Sequence, residues 1–278
     1  MPVPDAAKHT TIQGLIEQIR HHSDQPVILT EGDSWFSFPL HRNVVDHLLT
    51  MGHFSVLRLE KPGDELLRML DAKPLLKLKK HLDRTYLTRG GKDYRAEALL
   101  MSGGGNDLLG DDLVLYLKAN PAGTTALDFV EVDRVLDKLQ QIGIAYRQLC
   151  WARDDVNPEC VIYAHGYDCA VPGDRPVRIL WGLKKLGPWM HKAMNGEVNP
   201  TVFVPAQHRK EIARWLVDEF NRVLATIAAS ERRFVHVDAR GSVDSNEWND
   251  EIHPRSTGFE KVARKFEAEL KGRFPGFF

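Results

Sequence analysis

Short apolar runs alternate with longer amphipathic segments along almost the whole chain, and this rhythm constrains the fold more than any other feature. Val27-Ile28-Leu29-Thr30 is apolar and β-branched on both faces, the pattern of a strand buried on both sides. Similar runs cover residues 54–60, 96–102, 160–164 and 234–239. Between them, apolar residues recur at helical spacing over 10–20, 41–51, 64–82, 130–152, 206–229 and 257–271. Pro74 is expected to break or kink the third of these helices. Thr257 and Glu260, three residues apart, predict a capping box at the start of the last. Five strands separated by helices predict an α/β fold, a five-stranded parallel sheet covered by helices on both faces.

The chain has 278 residues, long enough to bury a core without disulfides. No repeat, low-complexity tract or linker interrupts it, so one domain over 1–278 is expected. The least regular stretch is 166–205, with Pro172, Pro176, Pro188, Pro200 and Pro205. It is too long for a plain loop. It reads equally as a lid or cap carrying Trp181, Trp189 and Met190, or as an excursion packing those aromatics on the core.

A formal net charge of −1 leaves no global positive field for nucleic acid, so no nucleic-acid partner is expected. No run of 18 apolar residues is present, so no membrane span is expected. Cys150, Cys160 and Cys169 are too few and too irregular for a disulfide framework or a zinc site and are expected to be free thiols. The start Met1-Pro2-Val3-Pro4-Asp5 lacks a basic region followed by an apolar one, so a cytoplasmic location is expected.

In an open parallel sheet, ligands bind beyond the carboxyl ends of the strands. The segments that follow the five runs are Glu31-Gly32-Asp33-Ser34-Trp35, Lys61-Pro62-Gly63-Asp64, Gly103-Gly104-Gly105-Asn106-Asp107, His165-Gly166-Tyr167-Asp168 and, a little further on, Asp250-Glu251-Ile252-His253-Pro254. Ser34, at a strand-to-helix turn, needs a base to become a nucleophile. His253 can supply it, with Asp250 reaching the same imidazole if the segment turns helically, and Pro254 ending that turn. Oxyanion donors are available from the Ser34 N–H, the Gly63 N–H and the Asn106 amide.

Gly32-Asp33-Ser34, Gly63, Gly104-Gly105-Asn106-Asp107 and Asp250-x-x-His253-Pro254 together resemble the four blocks of the SGNH, or GDSL, hydrolase family, in order and over roughly 26–272. The resemblance implies a flavodoxin-like, three-layer α/β/α sandwich and a serine esterase or related acyl hydrolase acting on a small-molecule ester, thioester or other acylated substrate. It implies Ser34 as nucleophile, His253 as base, Asp250 as its orienting acid, Gly63 and Asn106 with Ser34 as the oxyanion hole, and neither metal nor other cofactor. Two features depart from the family pattern: the long stretch 166–205, and Trp35-Phe36-Ser37-Phe38 where a leucine-containing start is usual.

Each candidate also has a structural reading. Ser34 alone would be a helix N-cap, and Asn106 alone a turn residue. The three glycines before Asn106 point to a backbone passing close to something, which favours a site. Asp33 and Asp107 read as braces or caps. His165 with Asp168 is a rival base pair, and Glu251 could compete for His253. Lys77, Lys79, Lys80 and Arg84 read as a solvated helix face. Trp35, Phe36 and Phe38 serve an acyl pocket or the core. A nucleotide loop fails on glycine spacing, and the G-x-S-x-G elbow lacks its second glycine. Three further functions use the same residues: an acyltransferase, a metal-dependent phosphoesterase using Asp33, Asn106, Asp107 and His253, and a non-catalytic binding module. Acyl length, leaving group and oligomeric state are not legible.

Overall fold

A computed structural model describes residues 9–179 and 184–278. Trp181, one of the aromatics assigned to the irregular stretch, lies outside the described residues. Five strands form one parallel sheet: β1 (Val27–Gly32), β2 (Ser55–Arg58), β5 (Ala98–Ser102), β6 (Val161–Gly166) and β9 (Phe234–Asp238). Their spatial order is β2-β1-β5-β6-β9, with Val27 beside Ser55, Gly32 beside Ser102 and Gly166 beside Asp238. Two short antiparallel hairpins stand apart: β3 (Leu87–Arg89) with β4 (Lys92–Tyr94), and β7 (Val177–Ile179) with β8 (Lys184–Leu186). Neither hairpin is prefigured by the apolar runs, because three-residue strands carry too little alternation to register.

The helices are α1 (Ile12–His21), α2 (Val44–Met51), α3 (Leu66–Met69), α4 (Ala72–Asp83), α5 (Gly105–Leu109), α6 (Val132–Val156), α7 (Met190–Met194), α8 (Ala206–Ser230) and α9 (Ser256–Arg273). Packing of α2 on α9 builds one helical layer, and α6 between α4 and α8 builds the other. With strand residues buried along both faces of β1, β5 and β6, the architecture is the three-layer α/β/α sandwich. The buried apolar residues form one contiguous cluster.

Helix boundaries follow capping chemistry. Asn43 caps α2 in a reciprocal box with Asp46, so this helix starts later than its apolar stripe predicts. The single helix predicted over 64–82 is two, α3 and α4, separated at Leu70 and Asp71. Pro74 kinks neither. It occupies the first turn of α4, where its missing N–H has no intrahelical partner to lose. The predicted Thr257–Glu260 box does not form, because α9 starts at Ser256 with Arg255 at the cap and Thr257 already inside the helix. All three cysteines are free. Lys77, Lys80 and Arg84 are exposed, and Lys79 pairs with Asp155.

At the amino edge of the sheet, opposite the strand ends of interest, the guanidinium of fully buried Arg153 donates to the carbonyls of Cys160 (2.6 Å), Arg232 (2.7 Å) and Arg233 (3.0 Å) and pairs with Asp154. It joins the starts of β6 and β9. Arg153→Met should remove the side-chain donor of the Cys160 and Arg232 carbonyls, while that of Arg233 keeps the Ile162 N–H, and lower stability by roughly 3 kcal/mol, the scale of two lost charge-assisted hydrogen bonds. Urea unfolding checks this.

Candidate active site

The chain leaves β1 for the edge strand β2, then crosses back past β1 to β5. The reversal of direction lies between β1 and β5, and the crevice beyond their carboxyl ends is where open α/β sheets bind ligands. Ser34 follows β1 at this point. Its turn is built by Asp33, whose fully buried carboxylate accepts from the Trp35 N–H (2.9 Å), from Ser102 Oγ on β5 (2.7 Å) and from the Tyr167 hydroxyl just after β6. Burial pushes the Asp33 carboxyl up to about 6, against the lowering effect of its hydrogen bonds from Tyr167 and Ser102. Asp33 is thus a brace, as one sequence reading had it.

The second half of the site is the loop between Trp248 and Pro254, which are closed onto each other by an antiparallel bridge. The loop is not the helical turn on which the sequence reading made the Asp250–His253 contact depend. Asp250 instead folds its carboxylate into the loop and accepts the N–H groups of Ile252 and His253, both at 3.1 Å. The same carboxylate faces His253 Nδ1 at 2.9 and 3.1 Å and accepts from Asn249 Nδ2 at 2.9 Å. Burial raises the Asp250 carboxyl. The hydrogen bond and charge of His253, with those from Asn249 and the backbone, outweigh it and hold the group below its ordinary range.

The two halves meet at His253 Nε2, 2.8 Å from Ser34 Oγ. An ionised Asp250 can only accept, so Nδ1 carries the imidazole proton and Nε2 is free to accept from the serine. Ser34, Asp250 and His253 are buried, 7%, 4% and 4% exposed. Trp35 locks the halves together: its Nε1 donates to the Ile252 carbonyl at 3.0 Å, while its ring packs on Tyr167 and Phe259. Phe38 stacks on the His253 ring with centroids 4.4 Å apart. Of the Trp35–Phe38 run, Trp35 and Phe36 are buried in the core, and Phe38 packs on the histidine and lines the cleft.

A cleft of about 440 Å³ opens over this pair. Ser34, Gly63, Asn106 and His253 lie at its polar end, and Phe38, Pro62, Val177, Leu186, Trp189 and Ile252 form apolar walls. A recess of only about 20 Å³ adjoins Ser34 and Asn106 beside Tyr167, space for about one water. Gly63 has φ +81°, a conformation that disfavours any side chain, and the space its Cβ would enter is open. Asn106 Nδ2 donates to the Asp64 carbonyl at 2.9 Å, tying the turn after β5 to the Gly63 turn. The neighbouring glycines serve packing more than ligand approach: Gly104, at φ +110°, would place a Cβ 2.5 Å from the Phe220 ring.

The rival base pair does not assemble. β6 runs on to Gly166, so His165 is inside the sheet, fully buried, with Nε2 2.8 Å from Ser102 Oγ. Asp168 instead accepts the N–H groups of Cys169, Gly241 and Val243. The donors of the metal reading do not converge either, since Asp107 is spent on the Leu66 and Leu67 N–H groups at the start of α3 and Asp33 on its brace. Glu251 does not compete for His253. Its buried carboxylate accepts from the N–H groups of Gly173 (3.0 Å), Met190 (3.1 Å) and His191 (2.7 Å), and burial pushes it up to about 7 despite those bonds. Sequence reading missed Tyr167 and Ser102 as partners of Asp33; Trp189, named there as part of a lid or of an excursion packed on the core, lines the cleft. Tyr167 had a usable signal, its place just after a strand run.

No protein-family model matches the chain, and no curated protein matches it. Solved structures do share its fold. A lipase, Lip_vut3, from a goat rumen metagenome superposes with a TM-score of 0.52 at 15% identity, covering 88% of this chain and 97% of its own. The extracellular lipase of Streptomyces rimosus gives 0.51 at 14%, covering 87% and 99%. A GDSL-like lipase from Bacteroides ovatus gives 0.51 at 10%, covering 91% of this chain and 55% of its own. The fold is therefore of the type found in GDSL-like lipases.

Burial drives the His165 imidazole from its ordinary 6.5 down to about 3. The unfolded chain takes up that proton below about pH 6.5 and the folded chain does not, so acidification favours unfolding. Between pH 6.5 and 4.5 this group alone should remove roughly 2 kcal/mol of stability. Chemical denaturation of wild type and His165→Asn across that window should show the variant losing less by about this amount.

Proposed function

We propose that this chain is a serine hydrolase that cleaves a carboxylic ester through an acyl-enzyme on Ser34. The observation that carries the reading is the unbroken line Asp250 carboxylate, His253 imidazole, Ser34 hydroxyl at 2.9 and 2.8 Å, facing a cleft at the sheet's switch point. Three residues from opposite ends of the chain reach this relay geometry with the tautomer that the chemistry requires.

Ser34 Oγ attacks the ester carbonyl carbon as its proton passes to His253 Nε2. The resulting imidazolium is held by Asp250, whose low carboxyl pKa keeps it ionised throughout. The carbonyl oxygen becomes an oxyanion, and the N–H groups of Ser34 and Gly63 stabilise it, together with the Asn106 amide hydrogen not used on Asp64. His253 then gives its proton to the departing alkoxide, which leaves as an alcohol. A water, deprotonated by the same nitrogen, attacks the acyl-Ser34 ester, releasing a carboxylic acid and restoring the serine. The apolar walls select an ester with one long apolar arm, and a cleft of this size matches a small-molecule ligand.

A fluorophosphonate should add once, on Ser34, as read by intact mass and peptide mapping. Ser34→Ala should take no adduct and hydrolyse no ester. His253→Ala should lose turnover by roughly 10⁴-fold or more and label slowly, whereas His165→Ala, which breaks a brace and not the relay, should slow labelling far less. An adduct on another residue would refute the assignment.

Asn106→Ala should reduce kcat on the order of 10²–10³-fold, the usual cost of one oxyanion donor. Its KM should change little, because the interaction develops in the transition state. Steady-state kinetics on a nitrophenyl ester checks this; a kcat within a few-fold of wild type would leave Asn106 as a turn residue only.

A further inference from the structure

The irregular stretch after β6 is attached to the catalytic loop through one side chain. Residue 251 lies between Asp250 and His253, yet its carboxylate points away from both. Oε1 accepts from Gly173 and His191, and Oε2 from Met190. Its own carbonyl accepts from the Val171 N–H at 3.0 Å. Val171 and Gly173 open the excursion, and Met190 and His191 lie well beyond the hairpin. Glu251 therefore gathers the two bases of the segment that contains β7 and β8.

What those bases hold is the outer wall of the cleft. Val177 and Leu186 are directly opposed in the β7–β8 register, and both line the cleft. Trp189 follows, against His253 at 5.7 Å between centroids. A hairpin of two three-residue strands is not stable alone. Leu186 is partly exposed, whereas Val177 opposite it is buried in the core, so core packing holds the first strand of the hairpin more than the second. Further on, Met190 and Met194 are buried in the core and anchor the segment beyond Trp189. Between the β6 strand end and that anchor, the carboxyl group of Glu251 with its three N–H donors is the polar tie that joins both bases, beside the core contacts of Ala170 and Val177.

We propose that Glu251 is a positioning residue for substrate selectivity: by clamping both bases of the 171–191 segment to the catalytic loop, it holds Val177, Leu186 and Trp189 as a wall for the long apolar arm of the ester. The proposal rests on Ser34 being the nucleophile of an ester hydrolase. Glu251 touches no reacting atom, so its effect reaches the reaction only through the wall. Replacing it by glutamine keeps the volume, and the amide oxygen can still accept from Gly173 and His191, but the NH2 group then faces the Met190 N–H, so the clamp loses its charge and that bond.

The test uses the full chain and two ester series. One compares nitrophenyl octanoate with nitrophenyl acetate, the other octyl acetate with ethyl acetate. Wild type should prefer the eight-carbon arm in at least one series. Glu251→Gln should lower that preference, as a ratio of kcat/KM values, by about tenfold, the scale of one charge-assisted hydrogen bond. The loss should come from KM for the long ester. Its kcat on the short ester and its rate of fluorophosphonate labelling at Ser34 should stay within about threefold, since a relay geometry left intact costs no transition-state stabilisation. Gly173→Pro removes one N–H donor without touching the catalytic loop. It should move the ratio the same way by less, which keeps the test open if the glutamine variant does not fold.

A ratio that stays at the wild-type value in both variants overturns the clamp. Equal loss on long and short esters, with slowed labelling, overturns it too and makes Glu251 a support of His253. A wild type that labels on Ser34 and hydrolyses esters with no preference for a long arm refutes the wall alone. A wild type that neither labels nor hydrolyses refutes the hydrolase reading, and the selectivity proposal with it.

Discussion

The buried carboxylate of Asp33 joins the carboxyl ends of three adjacent strands, and the geometry of the site depends on that junction. It ends β1, takes the Ser102 hydroxyl from β5 and takes the Tyr167 hydroxyl from just beyond β6. Ser102 gives its one proton to Asp33, so His165 Nε2 must be the donor in the contact between them. His165 is therefore neutral, in keeping with the strong downward drive of burial on that imidazole, and its buried Nδ1 has no hydrogen-bond partner among the described residues. A network of this kind in a low-dielectric interior is rigid when complete and costly when broken. Ser34, the next residue along, inherits its position from it.

The histidine side is organised by the same device, a carboxylate folded inward onto backbone N–H groups. Asp250 shapes its own loop with the N–H groups of Ile252 and His253 and spends its remaining lone pairs on the imidazole and Asn249. Residue 251 does the same outward, toward the excursion. Two neighbouring acids thus hold two different things, and alternation of side-chain direction along the loop separates them. Trp35 closes the arrangement by reaching from the serine turn to the Ile252 carbonyl, so the distance from Ser34 to His253 is set by packing and not by the two loops separately.

The elements legible from the chain alone were those whose signal is local and repeated. Strand runs such as 27–30 and 96–102 are apolar on both faces because both faces are covered, and the stripe over 257–271 repeats with a helical period. Boundaries depended on single hydrogen bonds that pattern does not encode: Asn43 with Asp46 trims the start of α2, and Arg255 stands where Thr257 was expected to cap α9. The break expected at Pro74 in the helix over 64–82 was misplaced by a few residues: it falls at Leu70 and Asp71, where the Asp71 side chain caps α4 and leaves Pro74 in the first turn. Within the site, the residue types and their places after strands named Ser34, Asp250 and His253. His165 and Asp168 carried the same local signal, and only the extension of β6 to Gly166 took His165 out of reach.

By itself, then, the sequence determined the fold class, the parallel sheet and the set of polar residues that strand ends carry to one edge, because periodicity and chain order are one-dimensional properties. Tertiary structure decided which of those residues meet. It chose Asp250–His253–Ser34 over His165–Asp168, turned Glu251 from a competitor into a tie for the excursion, and set Val177 opposite Leu186 in the cleft wall. Those outcomes depend on strand order, burial and the aim of side chains hundreds of residues apart, as Trp35 on Ile252 and Ser34 on His253 are. Contacts of that range arise when the layers pack, and no local pattern contains them.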